Sequence, residues 1–411
     1  MSATAPDRAA GRPDQGLTAY LGAWWQRVRS GDLGSLPIVV GILAIVVVFG
    51  ILDSRFFLER NFTNLLLQLA AVATIAIGIV FVLLIGEIDL SAAFVSAVGA
   101  VVMTLLLRPG DPGWPWWAAI PAALAITTTI GFLHALVITK AGVPSFVVTL
   151  AGLLTWSGVV LVLTTQFSTA GTIRIQDDVV VGIANQFLSP TAGWIVGILV
   201  AAGFGAAQFR FAQIRREGGL EAKPVALIAL QVLGVATVTL AAVGYANRDR
   251  GLPTVTLILL VFLVVWSFVA SRTRFGRHVY AVGGSAEAAR RAGINVDRVR
   301  IAVFMISSFM AGVGGIILAS RLRSVATNTG GGNLLLNAIA AAVIGGTSLF
   351  GGKGRVIAAL LGAIVIASIE NGMNLLGLAS GTKFVITGLV LLAAVLVDAL
   401  SKRRRSARGV V

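Results

Sequence analysis

The feature that most constrains this chain is a recurrence: apolar stretches long enough to cross a bilayer return along almost its whole length. A spanning helix needs about 20 mostly apolar residues. Stretches of that kind run near 36–52, 65–86, 90–107, 116–138, 145–164, 191–209, 225–244, 252–270, 301–320, 335–350, 356–377 and 383–400. A soluble fold would need a polar skin around such segments. Only 12% of the 411 residues are charged and 57% are hydrophobic, against about 25% charged in an ordinary soluble domain. Lipid must therefore cover much of the surface. The expected fold class is all-α: a polytopic membrane bundle of about ten to twelve spanning helices. Two segments are ambiguous: 90–107 starts almost where 65–86 ends, and 335–350 is short and rich in glycine. Re-entrant or broken helices are tolerated at membrane depth only when other protein buries them.

The basic residues set the expected orientation. Lys and Arg number 32 against 17 Asp and Glu, a formal charge of +15. They cluster in short connections rather than on a folded polar surface, which argues against a nucleic-acid partner and for positive-inside topology. Residues 271–300 carry Arg272, Arg274, Arg277, Arg290, Arg291, Arg298 and Arg300 against Glu287 and Asp297. Residues 210–224 and the tail at 401–411 are also basic. Alternation over twelve segments then puts both termini in the cytoplasm. The expected divisions are a cytoplasmic tail at 1–35, a membrane domain at 36–400 with a cytoplasmic loop at 271–300, and a basic cytoplasmic tail at 401–411. Trp24, Trp25, Trp114, Trp116, Trp117 and Trp194 fall near segment ends, as interfacial aromatic belts do.

Cysteine is absent and His134 and His278 are the only histidines, so neither a thiol nucleophile nor a His/Cys metal site is expected. No residue is assigned a catalytic role. Acids inside membrane segments are costly and mark function by default. Glu87 and Asp89 lie between two apolar segments, while Glu370 lies within one and is followed by Asn371 and Asn374. Glu87, Asp89, Asn371 and Asn374 are the candidates for lining a path for a hydroxyl-rich solute. The competing reading is helix capping and inter-helix hydrogen bonding, preferred for Asp89 before Ser91 and evenly weighed for the two asparagines. His134 reads as a satisfied buried histidine. Small residues, notably Gly312, Gly314, Gly315, Gly345, Gly346 and Gly362, allow close helix approach. Two weak internal echoes suggest duplication: Leu84–Leu90 with Val343–Leu349, and Phe146–Leu150 with Phe384–Leu389.

The cytoplasmic stretch Gly283-Gly284-Ser285-Ala286-Glu287-Ala288-Ala289-Arg290-Arg291-Ala292-Gly293 reads as a short helix, capped by Ser285 and stopped by Gly293. Here a resemblance enters. Glu287-Ala288-Ala289-x-x-x-Gly293 resembles the Glu-Ala-Ala loop of ATP-binding-cassette importer permeases. Phe275–Gly284, Ala338–Gly352, Asn61–Asn64, Gly86–Ser91 and Val143–Leu150 are similar to blocks of the monosaccharide branch of that family. An extra stretch at about 191–250 resembles the xylose-type members more than the ribose-type ones. Glu87 departs from the pattern, which usually has a second Gly there.

The resemblance implies a transport subunit rather than an enzyme, moving xylose or a related monosaccharide across a bacterial inner membrane. It implies two permease copies, two ATPase subunits that bind ATP and Mg outside this chain, and an extracytoplasmic sugar-binding protein. Gly284, Glu287, Ala288, Ala289 and Gly293 are then the ATPase-coupling residues, with Ala288 and Ala289 packing into the ATPase. An importer of branched-chain amino acids or another small polar solute, and a proton-coupled secondary transporter, are the alternatives.

Overall fold

The computed structural model describes Gly22 and residues 36–407, except for 111 and 221, with the side chains at 36, 37, 394, 395 and 397–407 left aside. Trp24, Trp25 and the tail at 1–35 lie outside the described residues, apart from Gly22. Each of the twelve apolar stretches contains a helix: α1 Leu36–Leu52, α2 Glu59–Leu84, α3 Ala92–Leu106, α4 Trp116–Lys140, α5 Ser145–Phe167, α7 Pro190–Glu217, α8 Val225–Ala246, α9 Thr254–Arg272, α12 Val296–Leu322, α13 Leu334–Ile344, α14 Ile357–Leu375 and α15 Ser380–Ala407. Between them lie a short helix α6 (Asp178–Asn185), the pair α10 (Arg274–Gly284) and α11 (Ala286–Arg291), and two three-residue strands. The chain is a polytopic helical membrane protein. Eight of the described helices are long and apolar enough to cross a bilayer. At 1.5 Å per residue, α3 spans about 22 Å and α13 about 16 Å, short of the ~30 Å hydrocarbon core. Both are buried among other helices, the condition under which short helices survive at membrane depth.

Several helices extend beyond the apolar stretches. Helix α2 begins at Glu59 and α12 at Val296, where Asn295 Oδ1 accepts from Arg298 N at 2.9 Å. Helix α7 runs on to Glu217, so Arg210, Arg215 and Arg216 sit on helix rather than loop. Hydropathy marks the part of a helix in lipid; helix propensity and caps carry it further. Likewise α15 continues through 401–407 without a break at 400.

Helix α12 is the hub. Three glycines in four residues open three of its faces: Gly312 to Thr127 and Leu124 of α4, Gly314 to Ala71 and Ile75 of α2, and Gly315 to the Ser96 backbone of α3. A Cβ at Gly315 would collide with the Ser96 carbonyl oxygen. Helices α2, α12 and α14 are accordingly mostly buried, whereas α5, α7, α8 and α9 present apolar side chains outward. Helices α13 and α14 pack in the same way, Gly345 on Ala358 and Gly362 on Ala341.

The bundle has two distinct ends. At one, Tyr245 Oη donates to the Phe57 carbonyl, Arg250 to Asn64 Oδ1 (2.9 Å) and Arg55 to the Leu375 carbonyl (2.9 Å). Strands β1 (Thr172–Arg174) and β2 (Ser324–Ala326) pair antiparallel there, and Ser320 Oγ accepts from Ala184 N on α6 (2.9 Å). The other end gathers residues 84–91, 273–295 and 345–356.

The first sequence echo has a structural counterpart. Helices α2 and α13 run toward the same end, and the chain segments that follow them touch, Gly352 N donating to the Leu84 carbonyl at 2.9 Å. The second does not extend that relation. Phe146 begins α5 at this end, whereas Phe384 lies near the start of α15 at the other.

Candidate functional site

The strongest local signal in the sequence, Gly283–Gly293, spans the end of α10 and all of α11, two short helices whose starts are set by side chains. Thr273 Oγ1 accepts from Gly276 N (3.1 Å) and starts α10. Ser285 Oγ accepts from Ala288 N (3.2 Å) and starts α11, the cap expected for it. Gly293 stops the turn at φ +82° with open space around it, a conformation that costs an L side chain roughly 1–2 kcal/mol. Glu287 and Arg291 pair across one exposed turn. Gly284, Glu287 and Ala288 face outward, but Ala289 is only 4% exposed and packs into the core of its own chain.

Helix α10 is held close to the bundle by backbone packing. A Cβ at Gly283 would collide with the Leu84 carbonyl oxygen and with Gly352 N, and Gly351 lies against the Gly283 carbonyl oxygen. Tyr280 Oη donates to the Gly354 carbonyl at 2.9 Å. Burial pushes the Tyr280 phenol above its usual range, with the Arg355 charge opposing, so the hydroxyl stays a donor at neutral pH. Any displacement of α10 therefore reaches both the α2–α3 and the α13–α14 connections.

The α2–α3 connection holds the two acids that the sequence places beside a path. Glu87 forms an ion pair with Arg300 near the start of α12 (2.9 Å). Asp89 is 3% exposed. Its Oδ1 accepts from Ser91 N (3.0 Å) and Ser91 Oγ (2.6 Å), and its Oδ2 from Ser307 Oγ (2.8 Å). Ser91 Oγ lies 3.4 Å from His134 Nδ1, and Trp156 Nε1 donates to His134 Nε2 (3.1 Å). An indole N–H can only donate, so this arrangement puts the imidazole hydrogen on Nδ1, facing Ser91. Ile88 N donates to Ser145 Oγ of α5 at 3.3 Å. These contacts thus tie α12, α4 and α5 to one connection. What joins Glu87 to Arg300 is contact between distant parts of the chain, which sequence spacing cannot reveal.

At the opposite end, Asn371 and Asn374 do different things. Asn371 exchanges two hydrogen bonds with Asn61 of α2, each 2.9 Å, and is buried. Asn374 is exposed, its Oδ1 accepting from Lys383 Nζ at 2.6 Å. The partner that shares its face is Glu370, one turn earlier, whose Oε2 accepts from Asn337 Nδ2 at 3.2 Å. These side chains border a small cleft between α13, α14 and α15. The Glu370/Asn374 spacing of four was the available signal for it, and Lys383 went unremarked at the edge of an apolar stretch.

Similar proteins place this architecture. The family model for the branched-chain amino acid transport system permease component matches residues 61–395. The xylose transport system permease protein XylH of Escherichia coli K12 is 36% identical over 380 residues, covering 92% of this chain and 94% of that one. Its counterpart in Haemophilus influenzae is 33% identical, covering 92% and 99%. The ribose import permease protein RbsC of E. coli K12 is 31% identical, covering 88% and 92%. No solved structure gives a significant match. On the extent of these matches, the chain belongs to the family of branched-chain amino acid transport system permease components.

Proposed function

We propose that this chain is the membrane-spanning subunit of an ATP-binding-cassette importer that carries a monosaccharide, xylose or a close relative, into the cytoplasm of a bacterium. It is a transport subunit with no catalytic residues of its own; ATP and Mg belong to a separate ATPase. The observation that carries the reading is the α10–α11 unit, an exposed two-helix platform that packs through Gly283 against two bundle connections and hydrogen-bonds one of them through Tyr280. Such a platform suits a machine driven from outside the membrane. The likeness to XylH favours a sugar over a branched-chain amino acid.

In this reading the α10–α11 end faces the cytoplasm and both termini lie there, within the inner membrane. Gly284, Glu287 and Ala288 meet the ATPase, Ala289 anchors α11 from behind, and Gly293 turns the chain back. A binding protein delivers sugar to the opposite end, and a second permease copy completes the pore. Closure of the ATPases would push α10 against residues 84–91 and 345–356, and rock α12 through Arg300 and Ser307 to alternate access.

The test is reconstitution in proteoliposomes with the ATPase and the binding protein. ATP-dependent uptake of labelled xylose, absent without the ATPase, is the expected result. Uptake by the chain alone under a proton gradient would establish the secondary-transporter reading instead. ATP-dependent uptake of leucine in place of sugars would move the cargo to branched-chain amino acids. Against proton coupling, Glu87 and Asp89 are both engaged in fixed contacts.

A further inference from the structure

Most outward faces of this bundle are apolar, as a lipid-exposed surface must be. The cleft at the outer end of α14 breaks that rule. It encloses about 230 Å³, and its walls include Asn333 from the start of α13, Glu370 and Asn374 from α14, and Lys383, Phe384 and Thr387 from α15. Glu370 lies five residues from the end of its helix, about 7 Å below it. Its carboxylate interacts electrostatically with Arg321 and Lys383. Among the described residues, no cation forms an ion pair with it within 4.0 Å. A carboxyl group among membrane helices without a close counter-ion is costly and marks a solute pathway by default.

The free hydrogen-bonding capacity identifies the guest. Glu370 Oε2 accepts once, from Asn337, leaving Oε1 open. Lys383 spends one of its three hydrogens on Asn374, whose amide keeps both of its own. Asn333 and the Thr387 hydroxyl add further donors and acceptors. Phe384, 54% exposed, supplies an apolar ring face. Acceptors and donors set side by side suit adjacent hydroxyl groups, and the ring suits the C–H face of a sugar. The volume falls below the ~300–1,000 Å³ of drug-sized pockets, as a small solute requires. A branched-chain amino acid would also need an apolar pocket for its side chain, and this wall is mostly polar.

We propose that this cleft is a solute subsite for a neutral, polyhydroxylated molecule at the outer mouth of the path. Glu370 and the Lys383–Asn374 pair hold hydroxyl groups, and Phe384 carries the ring. The proposal rests on the sugar-importer reading and names where that reading meets its cargo.

Two measurements test it. In the full reconstituted assembly, Glu370→Gln should lower the sugar moved per ATP hydrolysed by about tenfold, the loss of about 1.5 kcal/mol expected for one hydrogen bond to a charged group, and Phe384→Ala, which removes the ring face, should lower it as well. An unchanged ratio in both variants overturns the subsite. The second measurement needs no turnover. The chain has no cysteine, so Ser380→Cys on the cleft wall gives one reactive thiol in the purified permease. Xylose in excess should slow its modification by a small thiol reagent, and leucine should not. Protection by leucine alone, protection by neither, or a cross-link joining two copies through this thiol would each overturn the proposal. If wild-type uptake fails but xylose still protects the thiol, the importer reading has failed while the subsite stands.

Discussion

The two ends of this bundle are built on opposite terms. At the α10–α11 end, backbone meets backbone: Gly283 lies against Leu84, and Gly351 and Gly352 against Gly283. Acids there are satisfied at short range, Glu87 by Arg300 and Asp89 by two serines. At the other end, joined elsewhere by strands and hydrogen bonds, side chains of α13, α14 and α15 stand apart around a cleft, and Glu370 keeps an open oxygen. A close-packed end passes a push on with little loss, because packed interiors compress little. An end with free polar groups can exchange partners with a passing solute. Under the proposed function, one end would receive force and the other would meet cargo.

The contrast breaks most sharply at two neighbouring glycines. Gly283→Val must displace the Leu84 carbonyl and should destabilise the purified protein by about 3 kcal/mol or more. Gly284→Val meets open space and should stay within about 0.5 kcal/mol. Equal thermal unfolding shifts for the two would dissolve the claim of a tight end. Next in size is Gly293→Val, which forces a β-branched residue to φ +82°. ATP-dependent uptake should be abolished while membrane insertion, followed by fractionation, persists; undiminished uptake would remove the coupling role of that turn.

A charge reversal sharpens the comparison further. Glu87→Arg places two cations together near α12 and should cut uptake per ATP, and the double variant with Arg300→Glu should recover a coupling of about 1–3 kcal/mol. Additive losses would mean the pair carries nothing between the connection and α12. The smallest effect belongs to the cleft end. Asn61→Ala and Asn371→Ala should each cost about 0.6–1.7 kcal/mol, and the double variant no more than either alone. Full additivity in chemical denaturation would show that the two amides act independently.

What the sequence made legible follows from range. Each of the twelve apolar stretches contains a helix, because removal from water, into lipid or against other helices, writes itself into runs of apolar residues. The cap of α11 was readable because Ser285 and Ala288 are three residues apart. The Glu87–Arg300 and Asp89–Ser307 contacts were not, since nothing local records which distant helix an acid will face. Asn371 and Asn374 looked like one stripe at a spacing of three, yet Asn371 turns to α2 while Asn374 shares the cleft with Glu370. A spacing of three or four allows a shared face and does not choose which neighbour occupies it.

The three glycines of α12 carry a last consequence. Side chains act as the teeth by which one helix grips another, and over the single turn from Gly312 to Gly315 α12 offers three flat facets instead. One turn earlier the teeth return, Ser307 and Met310 lying against Gly78 of α2 and Ser308 against Gly131 of α4. The hub is thus smooth at one level and notched at the next. A single methyl group added at any of the three facets would have to wedge a neighbour away from the centre of the bundle.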